Sequence, residues 1–533
     1  MSQRSKLTRS RDGWKSKAGQ RGEELRNERK KSARIKKQRD RLKEEFKKTR
    51  AELKRLKDQS QVPAVQYKVD LVFLALQLFL VARISFRAVS RVLGILAEAL
   101  GIGKAPSAQT IINWVKRLSL ARIQSAPMLK GSPLPLAPFS NGLILMIDLS
   151  IALGTGKILT VLALNASHHQ FVPTAPGLGH VHCVAVSVAV SWTGENIAAF
   201  LKRLIDVMGR PAAYLKDGGA DLRKAIRLLD EQTLGSACID DISHMIANLL
   251  KWWYGDHPML ETFLSACGRV SGNLKQTILA CLIPPKTHTK ARFMNLHRLV
   301  AWANRLLNLS PVGGAKKGSV LARLRSCLDE LPSCRAFIKS FLEDAELLLE
   351  CQKILKTQGL SHETLALCEP FIQAIRSAGL RRAFEIYLQS QMDVAKQLGL
   401  DKIGMPITSD PIESLFGLAK QHGVGEIKDA DQIAMRLPAL CGTPTHEEAQ
   451  RVLTISVAQQ NEHTGSLSSL TKQRREVLPN PTRLESLGTG QSDAHLELVP
   501  SPINRENYPK IIAFTGSYKE NPGPLPACQS GCG

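Results

Sequence analysis

The sequence predicts an α/β layer fold, interrupted by a large all-helical block and preceded by a helical unit and a basic helical arm. Three observations carry that reading. Short β-rich apolar runs at 143–150, 157–165, 181–192, 212–216 and 237–239 are joined, from the third onward, by helical patterns at 196–208 and 221–230. Residues 243–402 then read as helix almost throughout. Finally, the first 60 residues hold 23 Lys+Arg against 9 Asp+Glu, a net +14 of the chain's +25.

Residues 1–62 form the arm. From about 22 to 58 there is neither Gly nor Pro after Gly22, and helix formers dominate. Ile35, Leu42 and Leu56 fall at one heptad position with Thr49 as a gap, and Phe46 and Leu53 at the other with a polar Arg39. That is a short, imperfect coiled-coil pattern, which a solvated single helix would also show. Either form lays cations along phosphates, and the net charge of +25 selects a polyanionic partner.

Val62-Pro63 breaks the arm, and residues 67–125 read as a compact helical unit. An apolar helix at 69–84 is followed by one at 86–93 capped by Ser85, then one at 108–120 after Pro106-Ser107. In the third, Ile111, Ile112, Val115 and Leu118 make the buried stripe. Gln109, Thr110, Asn113, Lys116 and Arg117 make a polar, basic face. The spacing suits a helix-turn-helix whose third helix reads a DNA groove, although generic helical bundles share it. A Pro-rich linker at 126–140 follows.

The core predicted at 141–243 opens on Gly-Leu-Ile-Leu-Met-Ile-Asp-Leu-Ser, residues 142–150. Asp148 sits inside that apolar run, where a charge costs several kcal/mol unless paired. Asp217 ends the fourth strand before two glycines. Asp241 and His244, at i,i+3, follow the fifth. Residues 244–405 are the helical interruption, with Trp252, Trp253 and Trp302 expected as core anchors. The core is expected to resume at 406–442. There Ser409 or Asp410 can cap a helix carrying Glu413 in its first turn and Lys420 seven residues on, near the same face. Residues 443–533 turn to Ser, Gly, Pro and Gln and are expected to be mostly disordered.

Asp148, Asp217 and Glu413 can converge at one end of the sheet. Clustered carboxylates repel unless cations sit between them, and hard oxygen donors suit Mg²⁺ or Mn²⁺. Two such ions activate a nucleophile and stabilise a leaving oxygen in phosphoryl transfer. The other histidine pairs, His168/His169 and His180/His182, lack ligand spacing. The eleven cysteines show no repeating spacing and read as reduced thiols of a cytosol-like compartment; Cys528 and Cys532 lack the second pair a zinc site needs. No leader opens the sequence, and the apolar stretch at 71–82 is too short to span a bilayer, so no membrane partner is expected.

The succession Leu-Met-Ile-Asp148, Asp217-Gly-Gly-Ala-Asp-Leu, Asp241-x-x-His244 and Ser-Asp410-Pro-Ile-Glu413-Ser-Leu-Phe-Gly-Leu-Ala-Lys420 resembles the DDE transposases of bacterial insertion sequences. The resemblance spans about residues 85–442. It implies a ribonuclease H-like core broken by an insertion domain. Asp148, Asp217 and Glu413 would hold two Mg²⁺ or Mn²⁺ ions, Lys420 would meet phosphate, and Asp241 and His244 would complete the site. The implied activity is cleavage and strand transfer on double-stranded DNA by an oligomer, at least a dimer, at the bacterial nucleoid. A nuclease of the same fold and a non-catalytic DNA-binding derivative are the alternatives. The tail corresponds to nothing in that family.

Overall fold

In the computed structural model the described residues are 68–97, 104–149, 156–189, 191–232, 236–286, 292–310, 312–421, 430–456, 458–460 and scattered positions between 13 and 49. The chain divides into two compact units, Met1–Lys68 and Val69–Gly533. In the first, the described residues between 13 and 49 are helical and almost all exposed, with Arg41 paired to Glu45 one turn on. Most of the heptad positions of the predicted coiled coil lie outside the described residues.

The second unit begins with helices α1 (Val69–Leu80), α2 (Phe86–Ile95) and α3 (Ala108–Ser125). The predicted Ser85 cap forms, accepting from the Ala88 amide, and Ser107 caps α3 in the same way, accepting from the Thr110 amide. Helix α1 stops short of the expected residue 84, where Arg83 takes a positive φ.

The α/β unit is a single mixed sheet. Strands β1 (Leu143–Leu149), β2 (Lys157–Asn165) and β3 (His182–Ala189) are antiparallel. After helix α4 (His168–Phe171), between β2 and β3, come helix α5 (Gly194–Met208), β4 (Ala213–Lys216), α6 (Ala220–Glu231) and β5 (Ala237–Asp240). Strands β4 and β5 run parallel to β1, in the order β3-β2-β1-β4-β5. Alternation along β1 sends Leu143, Leu145 and Ile147 into one core with Phe200, Leu201 and Leu204 of α5 and Leu222, Ile226 and Leu229 of α6. Met146 and Asp148 consequently lie on the opposite face.

The helical interruption consists of α7 (Ile242–Tyr254), α8 (Pro258–Lys275), α9 (Arg292–Leu309), α10 (Val320–Cys327), α11 (Arg335–Gln358), α12 (His362–Ala374) and α13 (Ala378–Leu398). Its interior is fixed by Asp344, which is buried and accepts from Tyr254 Oη at 2.7 Å and Ser377 Oγ at 2.5 Å. It also covers the free edge of β5. Tyr387 Oη donates to the Asp240 carbonyl at 2.8 Å, and the Asp240 amide donates to Gln391 Oε1 at 3.1 Å. Two of the expected core tryptophans are on the surface: Trp252 is 63% exposed and Trp253 40% exposed. The buried anchor of α7 is Tyr254 beside them. Trp302 is half-buried, its indole N–H bonded to the Leu282 carbonyl.

Helix α14 (Asp410–Gln421) carries Glu413, and a short helix α15 (Ala430–Ala434) follows. Order then runs past the expected boundary at 443, in helix α16 (His446–Thr454) with a Thr445/Glu448 capping box. It packs on α1 and α3. Among the described residues, nine cysteines are all free thiols, and no helix is long and apolar enough to cross a membrane.

Candidate active site

Parallel register builds the acidic end of the sheet. Ile147 pairs with Lys216 and Lys216 with Asp240. The residue after each of these is Asp148, still in β1, and Asp217 and Asp241, just past the ends of β4 and β5, so the three leave neighbouring strands at the same end of the sheet. Asp148 and Asp217 are half-buried and Asp241 is buried.

Local structure aims the first two. Asp148 Oδ1 accepts from the Leu149 amide at 2.6 Å. Asp217 Oδ1 accepts from the Gly219 amide at 2.9 Å. A Cβ at Gly219 would meet that same oxygen at 2.9 Å, so a larger residue there would displace the Asp217 carboxylate from this position. Across the ladder from Asp148 stands Thr160, whose hydroxyl is buried with no hydrogen-bond partner among the described residues.

Asp241 is different in kind. One oxygen accepts from the His244 amide at 2.8 Å and from His244 Nδ1 at 3.0 Å. The other accepts from the Ser409 amide at 2.6 Å and Ser409 Oγ at 2.9 Å. Both oxygens are saturated and the side chain is fully buried, so Asp241 has nothing left to offer solvent or a cation. It orients His244 and anchors the start of α14. That start brings in Glu413, whose Oε1 lies 3.7 Å from His244 Nε2.

The charges feel one another. Burial, then the neighbouring Asp217 carboxylate, push Asp148 up to about 7; Glu413 adds to this while the Leu149 amide and His244 oppose it. Burial also raises Glu413, against the pull of His244. For His244, burial acts downward, but the bond and charge of Asp241, with Glu413 and Asp217, raise it to about 9. It is thus a cation at neutral pH and offsets part of the negative charge. Burial acts upward on Asp241, yet its bonds from His244 and Ser409 leave it below the usual carboxylate range.

Among the described residues, no group of three His, Cys, Asp or Glu side chains is placed so as to hold a metal ion. The donor chemistry nonetheless fits a hard divalent cation. Burial and the neighbouring Asp217 carboxylate hold Asp148 above the usual carboxylate range, a strain that a divalent cation would relieve, and Asp217 and Glu413 supply further oxygens. Lys420 lies on α14, seven residues beyond Glu413; its side chain is outside the described residues.

The expected groove-reading face of α3 is largely occupied within the chain. Lys116 is buried and donates to Gln432 Oε1 at 2.6 Å. Arg117 donates to Gln460 Oε1, and Asn113 Oδ1 accepts from Gln460 Nε2 and from Gln109 Nε2. Thr110 is half-buried against Ser107, which leaves Gln109 as the exposed member of the five. Ser409 and Thr160 are the site residues to which the sequence assigns no role here. The pattern around Ser409 signals only a helix cap.

No family model matches the chain, and no curated relative is found for it. Among solved structures it is similar to the Drosophila P element transposase strand transfer complex, at 11% identity and a TM-score of 0.40, over 76% of this chain and 100% of that one.

Proposed function

We propose that the chain is a DNA transposase that cleaves and joins DNA in a metal-dependent manner. One observation carries the reading: Asp148 and Asp217 stand side by side at the ends of parallel strands, and a chain reversal nearly 170 residues long returns Glu413 to the same charge cluster through His244. The mixed sheet, in the order β3-β2-β1-β4-β5, is consistent with the ribonuclease H-like core of such enzymes.

Asp148, Asp217 and Glu413 would hold two Mg²⁺ or Mn²⁺ ions, with Glu413 turning from His244 to do so. Such ions, when bound, activate the attacking oxygen and stabilise the leaving one. His244, its ring held by Asp241, would face the reacting phosphate from beside Glu413. Lys420 would steady a phosphate two turns along α14. The basic arm would hold the DNA backbone without reading its sequence.

The test uses purified protein, Mg²⁺ and labelled duplexes taken from the DNA flanking the coding sequence. Joined products support transposition. Cut products alone reduce the reading to a nuclease, and retarded but intact DNA reduces it to a binding protein.

A further inference from the structure

The two ends of the helical interruption meet at the candidate site. The Ile242 amide donates to the Ile407 carbonyl at 3.1 Å, and Asp241 takes both donors of Ser409. The same helix start is gripped a second time. Lys356, near the end of α11, reaches the two oxygens of Asp410 at 2.8 and 2.7 Å. A cation at a helix N-terminus is disfavoured by the backbone dipole. Helix formation alone therefore gives no reason for Lys356 to lie there, and its contact is with the carboxylate of Asp410. Lys356 is 21% exposed and Asp410 39%, so the pair is partly shielded from water. Glu413 lies one turn further along.

We infer that Ser409 and Lys356 are positioning residues: acting through Asp241 and Asp410, they fix the first turn of α14, so that the helical interruption sets where Glu413 stands relative to Asp148 and Asp217. This rests on the functional reading above. A purely structural role would cost stability without changing the demand for metal. A positioning role changes the metal concentration the site needs, as removal of groups that orient metal ligands does elsewhere.

The experiment compares full-length protein with Ser409→Ala, Lys356→Met and Lys356→Arg. Cleavage of the flanking duplex is titrated with Mg²⁺, DNA retention is measured without metal, and hydrogen exchange is followed at 409–416. Ser409→Ala and Lys356→Met should each raise the Mg²⁺ for half-maximal cleavage by about 10-fold. Both should speed exchange at 409–416 relative to β1 and leave DNA retention unchanged. Lys356→Arg, which keeps the ion pair, should stay near wild type. Should the wild type cleave while both variants show its Mg²⁺ demand, the positioning role is wrong and the functional reading stands. Should the wild type show no metal-dependent cleavage, the functional reading fails and takes this inference with it.

Discussion

Asp148 shows what a single side chain gives up for the site. Its folded pKa is about 7 against an ordinary 3.8, because burial and Asp217 oppose its charge. Between those values the unfolded chain has released a proton that the folded chain keeps. Stability from this group is therefore present below the ordinary value, falls as pH rises through the window, and is fully lost above about 7. Asp148→Asn removes the charge at little change in volume. Without metal it should raise the thermal midpoint at pH 8, and the gain should vanish by pH 4; a gain independent of pH would exclude Asp148 as its source. Glu413 is more exposed and meets the cluster through His244. Glu413→Gln should abolish cleavage while DNA retention in a gel stays at the wild-type level. A carboxylate inside an apolar strand is legible from sequence because its cost is local. The role of Asp241 is not, since its saturation depends on Ser409, 168 positions away.

At the scale of elements, the five strands and their two intervening helices are legible within a few residues, since period and turn chemistry are local signals. Helix α16 is not, because its polar composition looks like tail. Its Thr445-x-x-Glu448 capping box is the available clue. What holds α16 is long-range: Arg122 of α3 meets both oxygens of Glu448 at 2.7 and 2.9 Å, and also donates to the carbonyls of Pro438, Ala439 and Cys441. The side chains are only 11% and 23% exposed, so breaking the pair strands a poorly solvated charge. Arg122→Met should destabilise the protein by roughly 3 kcal/mol in urea melts. With Glu448→Gln in a double-mutant cycle, the coupling should exceed about 1 kcal/mol. Additive effects would mean the pairing is incidental. Separate long-range contacts explain why α3 presents so little of its expected groove-reading face. The residues that look free in isolation, Lys116 and Arg117, are used to hold Gln432 and Gln460.

Across the whole molecule, charge and chemistry are segregated. The candidate site gathers residues 148, 217, 244 and 413 only after a long helical detour closes on itself, which no local pattern reports. The excess cations instead concentrate in the first 60 residues, and composition alone reveals that. Removing residues 1–60 takes the net charge from +25 to +11, since 23 basic and 9 acidic groups leave together. Each phosphate neutralised releases condensed counterions and contributes about 0.9 to the slope of log affinity against log salt. If the arm lies along DNA, the truncated protein should bind more weakly at low salt. Its slope should be shallower by about 0.9 for every phosphate that the arm neutralises in the intact protein. Fluorescence anisotropy across a salt series reads both. An unchanged slope would assign the phosphate-binding cations to residues 61–533, leaving the arm's charge to some other polyanion.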